Sequence, residues 1–432
     1  MAKKTAIAFI EIAGQTIPAG RLTVVDDGRM SRSEFQYGRR YLERPNAVAI
    51  DPVMLPLTQD KFYTPEDFAL FNGIRDASPD AFGRAVIDNY MLRHQNRPAD
   101  ESDFLFASQS GSRIGALRFG PTPDGPGQVL DHAIPSYELG LGDLATFKEM
   151  VDNHMDDGAL PERFSYLVSG GSDAGGARPK ATVTVDGFPW LAKFGKESDR
   201  VQNAASEAAC LDLCEIAGLR VPDRKIVNIA DRPTLLVERF DRYVGEEGDI
   251  QRKHMISSMT ILGAHERDAG MSGYADICDG MRRFSGDERI GEEIYKRMVM
   301  NVLCGNTDDH YRNHAFLMDD DQKYRISPVY DVTPTLQATG TRHLFLHLGR
   351  AGSGREATLE AAVNGSESLG LHRDQAISIA NDLAAMVEAN WESSLRARGA
   401  PQRDIEMLAG AFGESAKRIE VDEPDDEYDY RM

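Results

Sequence analysis

Residues 301–335 read NVLCGNTDDHYRNHAFLMDDDQKYRISPVYDVTPT, and the rest of the chain can be interpreted outward from this stretch. An apolar helix end runs into a polar loop that contains Asp308 and Asn313. A strand over residues 314–318, an acidic turn and a second strand then bring the chain back to Asp331. Because the two strands of a hairpin lie side by side, we expect Asp331 to return beside Asp308 and Asn313.

Two carboxylates and an amide at one loop edge are the groups that phosphoryl transfer from a nucleotide requires. One carboxylate orients or deprotonates the attacking hydroxyl, and the other oxygens are the hard ligands that Mg²⁺ prefers. Asp308 and Asn313 are five residues apart, as are the Asp and Asn of the protein-kinase catalytic loop H-R-D-x-x-x-x-N. An ordinary Asp/Asn-rich surface turn would also explain this composition, but the spacing and the returning Asp331 favour a catalytic loop.

Length, composition and charge describe a globular protein with an acidic surface. The chain has 432 residues, enough for a large core and two or three domains. Its 49 basic and 69 acidic residues give a net charge of −20, which argues against DNA binding over the whole surface. A local basic patch, or DNA contact through a basic partner, stays open.

The cysteines and the N-terminus indicate a cytoplasmic protein. The cysteines form no paired C-x-x-C pattern and are expected to be buried free thiols in a reducing compartment. They are Cys210, Cys214, Cys278 and Cys304. At the N-terminus, Glu11 interrupts the apolar run that follows Lys3 and Lys4, so we expect neither a signal peptide nor a membrane span.

A glycine-rich loop and two strands precede the catalytic stretch. Residues 165–180 contain four glycines around Ser172, and the loop ends at Lys180. A strand over residues 181–185, an Asp-Gly turn and a second strand ending at Lys193 follow. Kinases cover a nucleotide with such a layout, because glycines let backbone N–H groups approach phosphate oxygens. Neither a Walker A motif nor G-x-G-x-x-G is present, so a flexible loop is the alternative.

A helix predicted over residues 199–219 carries a candidate partner for the lysine. Glu207 lies in the first half of this helix, among small residues. A glutamate there would pair with Lys193 and hold its ammonium group against the phosphates. A solvated helix glutamate is the plainer interpretation.

The next buried strand, residues 234–237, ends where a hinge between two lobes would lie. Backbone groups of Glu238 and Phe240 would then pair with adenine, and Asp241 would approach the ribose. A strand with a charged end would look the same in sequence.

The order of the predicted elements indicates an α+β chain with two lobes. Apolar residues repeat at a spacing of three to four over residues 253–265, 287–304, 372–395 and 401–419. We therefore predict a two-lobed protein-kinase-like fold with a β-rich N-terminal lobe and an all-helical C-terminal lobe. The expected units are a mixed α/β subdomain (1–145), the kinase N-lobe (146–240), the helical C-lobe (241–415) and an acidic disordered tail (416–432).

Residues 1–145 are expected to lack chemistry of their own. A strand hairpin is predicted over residues 5–27, and helices are predicted after the Thr-Pro and Ser-Pro pairs within residues 64–110. An interaction surface is the alternative for this subdomain.

Several of these motifs resemble the HipA family of bacterial serine/threonine kinases, the toxin halves of toxin–antitoxin pairs. They are N-T-D-D-H-x-R-N, S-P-x-Y-D, V-E-R-F-D-R and the loop with Ala177 and Lys180. The resemblance implies that Asp308 is the catalytic base, that His310 braces the loop, and that Asn313 and Asp331 bind Mg²⁺. Combined with the residues above, the expected ATP-binding set is Gly175, Gly176, Ala177, Lys180, Lys193, Glu207, Glu238, Phe240, Asp241 and Tyr330.

The resemblance also implies regulation and partners. The family inactivates itself by phosphorylating a serine in the glycine-rich loop, for which Ser172 is the nearest candidate and Ser169 the next. The loop here reads G-A-R-P-K where the familiar form is G-A-Q-E-K. Implied partners are a cognate HipB-like antitoxin, a protein substrate in translation such as an aminoacyl-tRNA synthetase, and DNA only through the antitoxin. No membrane contact is implied.

Two other functions stay open at this point. A small-molecule or lipid kinase is one alternative, because lipid kinases also use a D-x-H-x-x-N loop with the same spacing. A catalytically silent nucleotide-binding module that clamps an antitoxin–DNA complex is the second alternative. The joint presence of Lys193, Asp308, Asn313 and Asp331 argues against the silent module.

Overall fold

The computed structural model describes residues 2–28, 30–107, 112–131, 139–154, 178–268, 270–285, 287, 289–336 and 340–420. The N-terminal subdomain contains an antiparallel sheet with the strand order β4-β3-β2-β1-β5. Its strands are β1 (Ala2–Ile12), β2 (Gln15–Asp26), β3 (Ser31–Tyr37), β4 (Lys61–Tyr63) and β5 (Leu117–Gly120). The β1–β2 pair confirms the hairpin predicted over residues 5–27.

The helices of the first part of the chain are mostly short. They are α1 (Arg39–Leu42), α2 (Asn72–Arg75), α3 (Ala81–His94), α4 (Glu101–Ala107) and α5 (Leu144–His154). The Ser-Pro pair at positions 78–79 does precede a helix, α3. The Thr-Pro pair at positions 64–65 does not, because α2 begins only at Asn72.

A second sheet carries the two lysines singled out in the sequence. Its strands are β6 (Leu139–Gly140), β7 (Lys180–Val185), β8 (Phe188–Lys193), β9 (Arg224–Ile229) and β10 (Arg232–Glu238), in the order β6-β7-β8-β10-β9. Asp186 and Gly187 join β7 to β8 with φ angles of 51° and 81°, the left-handed geometry that suits a tight hairpin. The register places Lys180 directly opposite Lys193, so both lysines lie at one end of the sheet.

The remaining chain is largely helical. Its helices are α6 (Asn203–Ile216), α7 (Ser258–Leu262), α8 (Tyr274–Arg282), α9 (Ile290–Leu303), α10 (Leu359–Gly365), α11 (Arg373–Ala397) and α12 (Gln402–Leu408). Short 3₁₀ segments cover residues 141–143, 266–268, 311–313, 366–369 and 409–416.

The two-lobed α+β class is confirmed, but the C-terminal lobe is not all-helical. It contains the pair β11 (Arg242–Val244) and β12 (Ile250–Arg252), and a three-stranded sheet of β13 (Met255–Ser257), β14 (Ala315–Met318) and β15 (Tyr324–Ile326). Part of the helix predicted over residues 253–265 is therefore strand β13, which pairs with β14.

Two large hydrophobic clusters hold the molecule together. One joins the N-terminal subdomain to the second sheet, since Phe35 and Phe106 belong to the same cluster as Val183 and Phe194. The other fills the C-terminal lobe and includes Cys210 and its neighbours on α6. The described core therefore does not divide at residue 145: the N-terminal subdomain and the second sheet share one interior.

The four cysteines are free and buried, as predicted. Residues 416–420, which the sequence assigned to a disordered tail, include Ile419, which exchanges two hydrogen bonds with Asn381 of α11. The rest of that predicted tail lies outside the described residues. Within the described ranges, no helix combines the length and the hydropathy that a membrane crossing requires.

Candidate active site

The loop after α9 is anchored by an aspartate that sequence reasoning overlooked. Asp309 is buried, and its carboxylate accepts hydrogen bonds from Tyr274 Oη at 2.5 Å and Asn301 Nδ2 at 2.7 Å. His314 Nε2 lies 2.8 Å from the same oxygen. With its neighbour held inward in this way, Asp308 is left exposed at the loop surface.

The loop also closes on itself through the residues that the sequence placed there. Asn313 Nδ2 donates to the Asp308 carbonyl oxygen at 3.0 Å, which leaves the Asn313 amide oxygen as its available acceptor. His310 is the N-cap of the 3₁₀ turn at residues 311–313, where its Nδ1 accepts from the Arg312 N–H at 3.2 Å. His310 thus fixes the turn that carries Asn313.

Lys193 connects three separate elements at the site. Its ammonium group lies 2.5 Å from Glu207 Oε1 on α6 and 2.8 Å from Asp331 Oδ1. Asp331 lies five residues beyond the end of β15, with a φ angle of 61° that few non-glycine residues adopt. The structure therefore brings together the lysine of β8, the glutamate of α6 and the returning aspartate.

The charges in this cluster shift one another's pKa values. Burial alone would raise the pKa of Asp331, but Lys193 and then Lys180 hold it well below its usual range. Burial lowers the pKa of Lys180 to about 8, and the neighbouring Lys193 adds to that effect. Partial desolvation at the wall of the cavity raises the pKa of Asp308, His310 lowers it, and Asp331 and Asp309 raise it further. The raised pKa moves Asp308 toward the range in which a carboxylate accepts a proton well.

Two adjoining cavities meet at these residues. The first, about 140 Å³, has an apolar wall of Ile114, Leu191, Val237, Met255 and Ile256. The second, about 720 Å³, is more polar and includes Glu207 and Asp308 in its lining. Both are lined by Lys180, Lys193, His310, Asn313 and Asp331. An apolar slot that opens into a polar, charged chamber suits the nucleobase of a nucleotide in the slot and its phosphates in the chamber.

The segment that follows β10 lies along the apolar cavity as a hinge would. The Glu238 N–H donates to the Asp223 carbonyl oxygen at 2.8 Å, whereas the Phe240 N–H has no acceptor among the described residues. The centroids of the Phe240 and Tyr330 rings lie 5.3 Å apart, and both side chains line the cavity. The Phe240 amide is thus the available donor for a planar ring system.

Comparison with known proteins places the chain in a family. The HipA-like C-terminal domain family matches residues 172–391, just over half of the chain. The chain belongs to the HipA-like kinase family. It is 30% identical over 322 residues to the putative kinase Y4mE of Sinorhizobium fredii, covering 70% of this chain and 72% of that protein.

Two further similarities involve HipA of Shewanella oneidensis. The serine/threonine-protein kinase toxin HipA is 30% identical over 144 residues, 30% of this chain and 33% of that protein. A solved chain from the complex of HipA, HipB and operator DNA superposes with a TM-score of 0.65 at 14% identity, over 96% of both chains. At 14% identity, this superposition shows only that the two chains share a fold.

One predicted nucleotide contact of this HipA-like kinase lines the apolar cavity but has partners within the protein. Asp241 was expected to approach a ribose, but both of its carboxylate oxygens accept hydrogen bonds inside the protein. Arg239 Nε and Nη2 donate to them at 3.0 and 2.7 Å, and Arg242 Nη1 donates at 2.6 Å. The Gly115 N–H also donates, at 2.7 Å. Asp241 is therefore a buried ion-pair residue in this structure.

The N-terminal subdomain contributes to the site, contrary to the expectation that it lacks chemistry. Asp76, Asp80 and Ile114 line the apolar cavity. Asp80 pairs with the guanidinium group of Arg312 in the catalytic loop, and Asp76 accepts from Ser257 Oγ at 2.7 Å. No local pattern in the sequence marks these contacts, because their partners lie far away along the chain.

Five of the predicted site residues cannot be compared with the structure. Gly175, Gly176 and Ala177 of the glycine-rich loop lie outside the described residues, as do Ser172 and Ser169. The loop is described again from Arg178, whose Nη1 donates to Asp199 Oδ2 at 2.7 Å.

Proposed function

We propose that this HipA-like kinase transfers the γ-phosphoryl group of ATP to a serine or threonine hydroxyl of a protein. The observation that carries the proposal is the pairing of Lys193 with both Glu207 and Asp331, at the junction of an apolar and a polar cavity. A lysine held between two carboxylates in this way retains its positive charge, because Asp331 and Glu207 raise its pKa against the opposing effect of burial. A permanently charged ammonium at that junction suits the phosphates of a nucleotide.

The reaction assigns a distinct role to each end of the site. A hydroxyl oxygen attacks the γ-phosphorus, the bond from that phosphorus to the β–γ bridging oxygen breaks, and ADP leaves with the electron pair. Asp308 accepts the proton of the attacking hydroxyl. Its exposure at the edge of the polar cavity gives a protein side chain access to it. Asp309 and Asn313 fix the loop so that Asp308 keeps its position during transfer.

The residues present also fit a Mg²⁺ ion, for which Asn313 and Asp331 are the proposed ligands. Asn313 has its amide nitrogen engaged and its amide oxygen available, while Asp331 binds Lys193 through Oδ1 and retains Oδ2. Neutral and anionic oxygens are the donors that Mg²⁺ prefers. The ion would offset the negative charge of the phosphates when bound.

We further propose the family's biology for this chain. The relative named a serine/threonine-protein kinase toxin supports the hydroxyl acceptor and a growth-arresting role. The similarity to a chain solved together with HipB and operator DNA supports a HipB-like antitoxin as partner, with DNA contacted through it. Autophosphorylation of Ser172 or Ser169 and a substrate in translation, such as an aminoacyl-tRNA synthetase, belong to the same proposal.

A matched pair of variants tests the proposal. The protein is incubated with Mg²⁺ and γ-labelled ATP, alone and with a bacterial extract, and labelled sites are mapped by mass spectrometry. Asp308→Ala should lower transfer by roughly 10²- to 10⁴-fold while Mg-ADP still binds, because it removes the base and no nucleotide contact. Asp331→Ala should weaken the Mg²⁺-dependent binding itself.

Each alternative result has a definite meaning. If Asp308→Ala also abolished nucleotide binding, Asp308 would not be the base we propose. Label recovered on a small molecule and on no protein would favour the small-molecule or lipid-type kinase. Nucleotide binding without any transfer by the unmodified chain would favour the silent module.

A further inference from the structure

A short segment of the N-terminal subdomain is held tightly against the hinge. Arg239 donates to the carbonyl oxygens of Ser112 and Arg113, and Arg242 Nη2 donates to the Arg113 carbonyl oxygen at 2.6 Å. On the other side, the Gly115 N–H donates to Asp241 Oδ2 at 2.7 Å. The residues that flank Phe240 in the hinge therefore fix residues 112–115 from both ends.

The contact between residues 112–115 and the hinge residues Arg239, Asp241 and Arg242, here called the clamp, is buried and rich in positive charge. Arg113, Arg239, Arg242 and Arg252 are each at most 8% exposed, and their guanidinium groups bond mainly to backbone carbonyl oxygens and to Asp241. Burial lowers the pKa of Arg242 to about 10, so the cluster depends on these partners. Because leaving a buried donor without a partner is energetically costly, the segment has little freedom to move away from the hinge.

The clamp presents one side chain to the apolar cavity. Ile114 lies between the fixed residues Arg113 and Gly115 and is half-buried, and it lines the same cavity as Phe240 and Leu191. Gly115 has a φ angle of 70°, and a Cβ atom there would lie 3.2 Å from the Met255 nitrogen. The turn at Gly115 therefore packs closely against Met255, and a larger residue at position 115 would force one of the two segments to shift.

We propose that Ile114 contacts the base of the bound nucleotide, so that the N-terminal subdomain forms one wall of the nucleotide site. This inference rests on the proposed function, since it takes the apolar cavity to be the slot for adenine. It goes further in assigning a nucleotide contact to a subdomain that carries none of the recognised motifs. A planar, apolar ligand beside Phe240 would be covered by the Ile114 side chain.

Cysteine protection tests the inference with a readout other than activity. The four native cysteines are buried, and burial raises the pKa of Cys278 to about 11, so they react slowly with a thiol reagent. Ile114→Cys should be labelled by iodoacetamide in the free protein. Mg-ADP at about ten times its Kd should slow that labelling by roughly tenfold, because bound nucleotide covers the thiol.

Leu92→Cys is the matched control. Leu92 is 50% exposed on α3 and lines neither cavity, so its labelling rate should not respond to Mg-ADP. Protection of position 114 alone would support the inference. Equal labelling rates at position 114 with and without Mg-ADP, in a protein shown by calorimetry to bind Mg-ADP, would overturn the inference and leave the proposed function intact. Failure of the unmodified protein to bind any nucleotide would overturn both.

Affinity gives a second, independent measurement should the cysteine variant fold poorly. Ile114→Ala should weaken Mg-ADP binding by roughly three- to tenfold, because it removes part of an apolar wall. Leu92→Ala should leave the affinity unchanged. Equal Mg-ADP affinity in Ile114→Ala and the unmodified protein would contradict the inference.

Discussion

At the scale of single residues, the loop after α9 gives two neighbouring aspartates different surroundings. Asp309 is buried among Tyr274, Asn301 and His314, and the interaction with His314 opposes the effect of burial and lowers its pKa. Asp308 faces the cavity with a raised pKa. One carboxylate therefore stays ionised as an anchor, while its neighbour is suited to exchange a proton.

His310 provides a test of that division through the pH dependence of transfer. Its imidazolium form lowers the pKa of Asp308, so removing the charge should raise that pKa further. His310→Asn keeps an N-cap acceptor for the Arg312 N–H while removing the charge. Because the base must be ionised to act, the acidic limb of the kcat profile should move to higher pH in the variant.

The measurement is kcat against pH for both proteins. Above the limb the two rates should converge, which separates a pKa effect from damage to the loop. An acidic limb at the same pH in both proteins would mean that Asp308 is not the group that titrates.

Some residues that the structure brings together are marked by motifs in the sequence, whereas other contacts have no such mark. Lys193, Glu207, Asn313 and Asp331 come from four separate motifs, and the structure brings them to one cavity. Asp241 looked like a ribose contact because its position after the hinge suggested one. Its actual partners include Gly115, more than a hundred residues earlier, and no spacing in the sequence reveals that contact.

At the scale of elements, the catalytic loop is held by the turn that follows α2. Arg312 pairs with Asp80, and its Nη2 lies 3.5 Å from Glu266 Oε1. Burial lowers the pKa of Arg312 to about 9, nearby Arg75 lowers it further, and the charge of Asp76 opposes both effects. The N-terminal subdomain thus fixes the residue next to Asn313.

Asp80→Asn should therefore affect transfer more than nucleotide binding. Loss of the charged partner should lower the free energy of unfolding by about 1–3 kcal/mol and let the loop move. We expect kcat to fall by roughly tenfold, with little change in the Kd for Mg-ADP. Asp60→Asn, an exposed change in the same subdomain, is the control. A loss of Mg-ADP affinity equal to the loss in kcat would place Asp80 in the nucleotide site itself.

The elements themselves were predicted well where the pattern is local. The hairpin over residues 5–27 and the helices α9 and α11 follow directly from turn residues and apolar spacing. The helix predicted over residues 253–265 was partly wrong, because residues 255–257 pair with β14, some sixty residues later. Apolar residues at that spacing fit either element, and only the distant partner decides between them.

At the scale of the whole molecule, the kinase lobe and the N-terminal subdomain depend on one shared interior. Val183 and Phe194 of the second sheet belong to the same hydrophobic cluster as residues of the first sheet. Phe194 also stacks on Phe147, with ring centroids 5.3 Å apart. Arg239 and Arg242 of the hinge donate hydrogen bonds to carbonyl oxygens of residues 112–115. The N-terminal subdomain is thus built into the site structurally, although its sequence carries no motif.

This shared interior predicts that the kinase lobe and the N-terminal subdomain unfold together. A chain starting at residue 139 would expose the apolar face of the second sheet and remove the backbone carbonyl acceptors that residues 112–115 offer to Arg239 and Arg242. It should therefore lack a cooperative thermal transition and near-ultraviolet circular dichroism, whereas a modular kinase domain would retain both. In the full chain, native-state hydrogen exchange should give strands β2 and β8 the same opening free energy, because both open with one core. Measurably earlier opening of β2, or a well-folded fragment, would mean that the kinase lobe is independent of the subdomain that lines its apolar cavity.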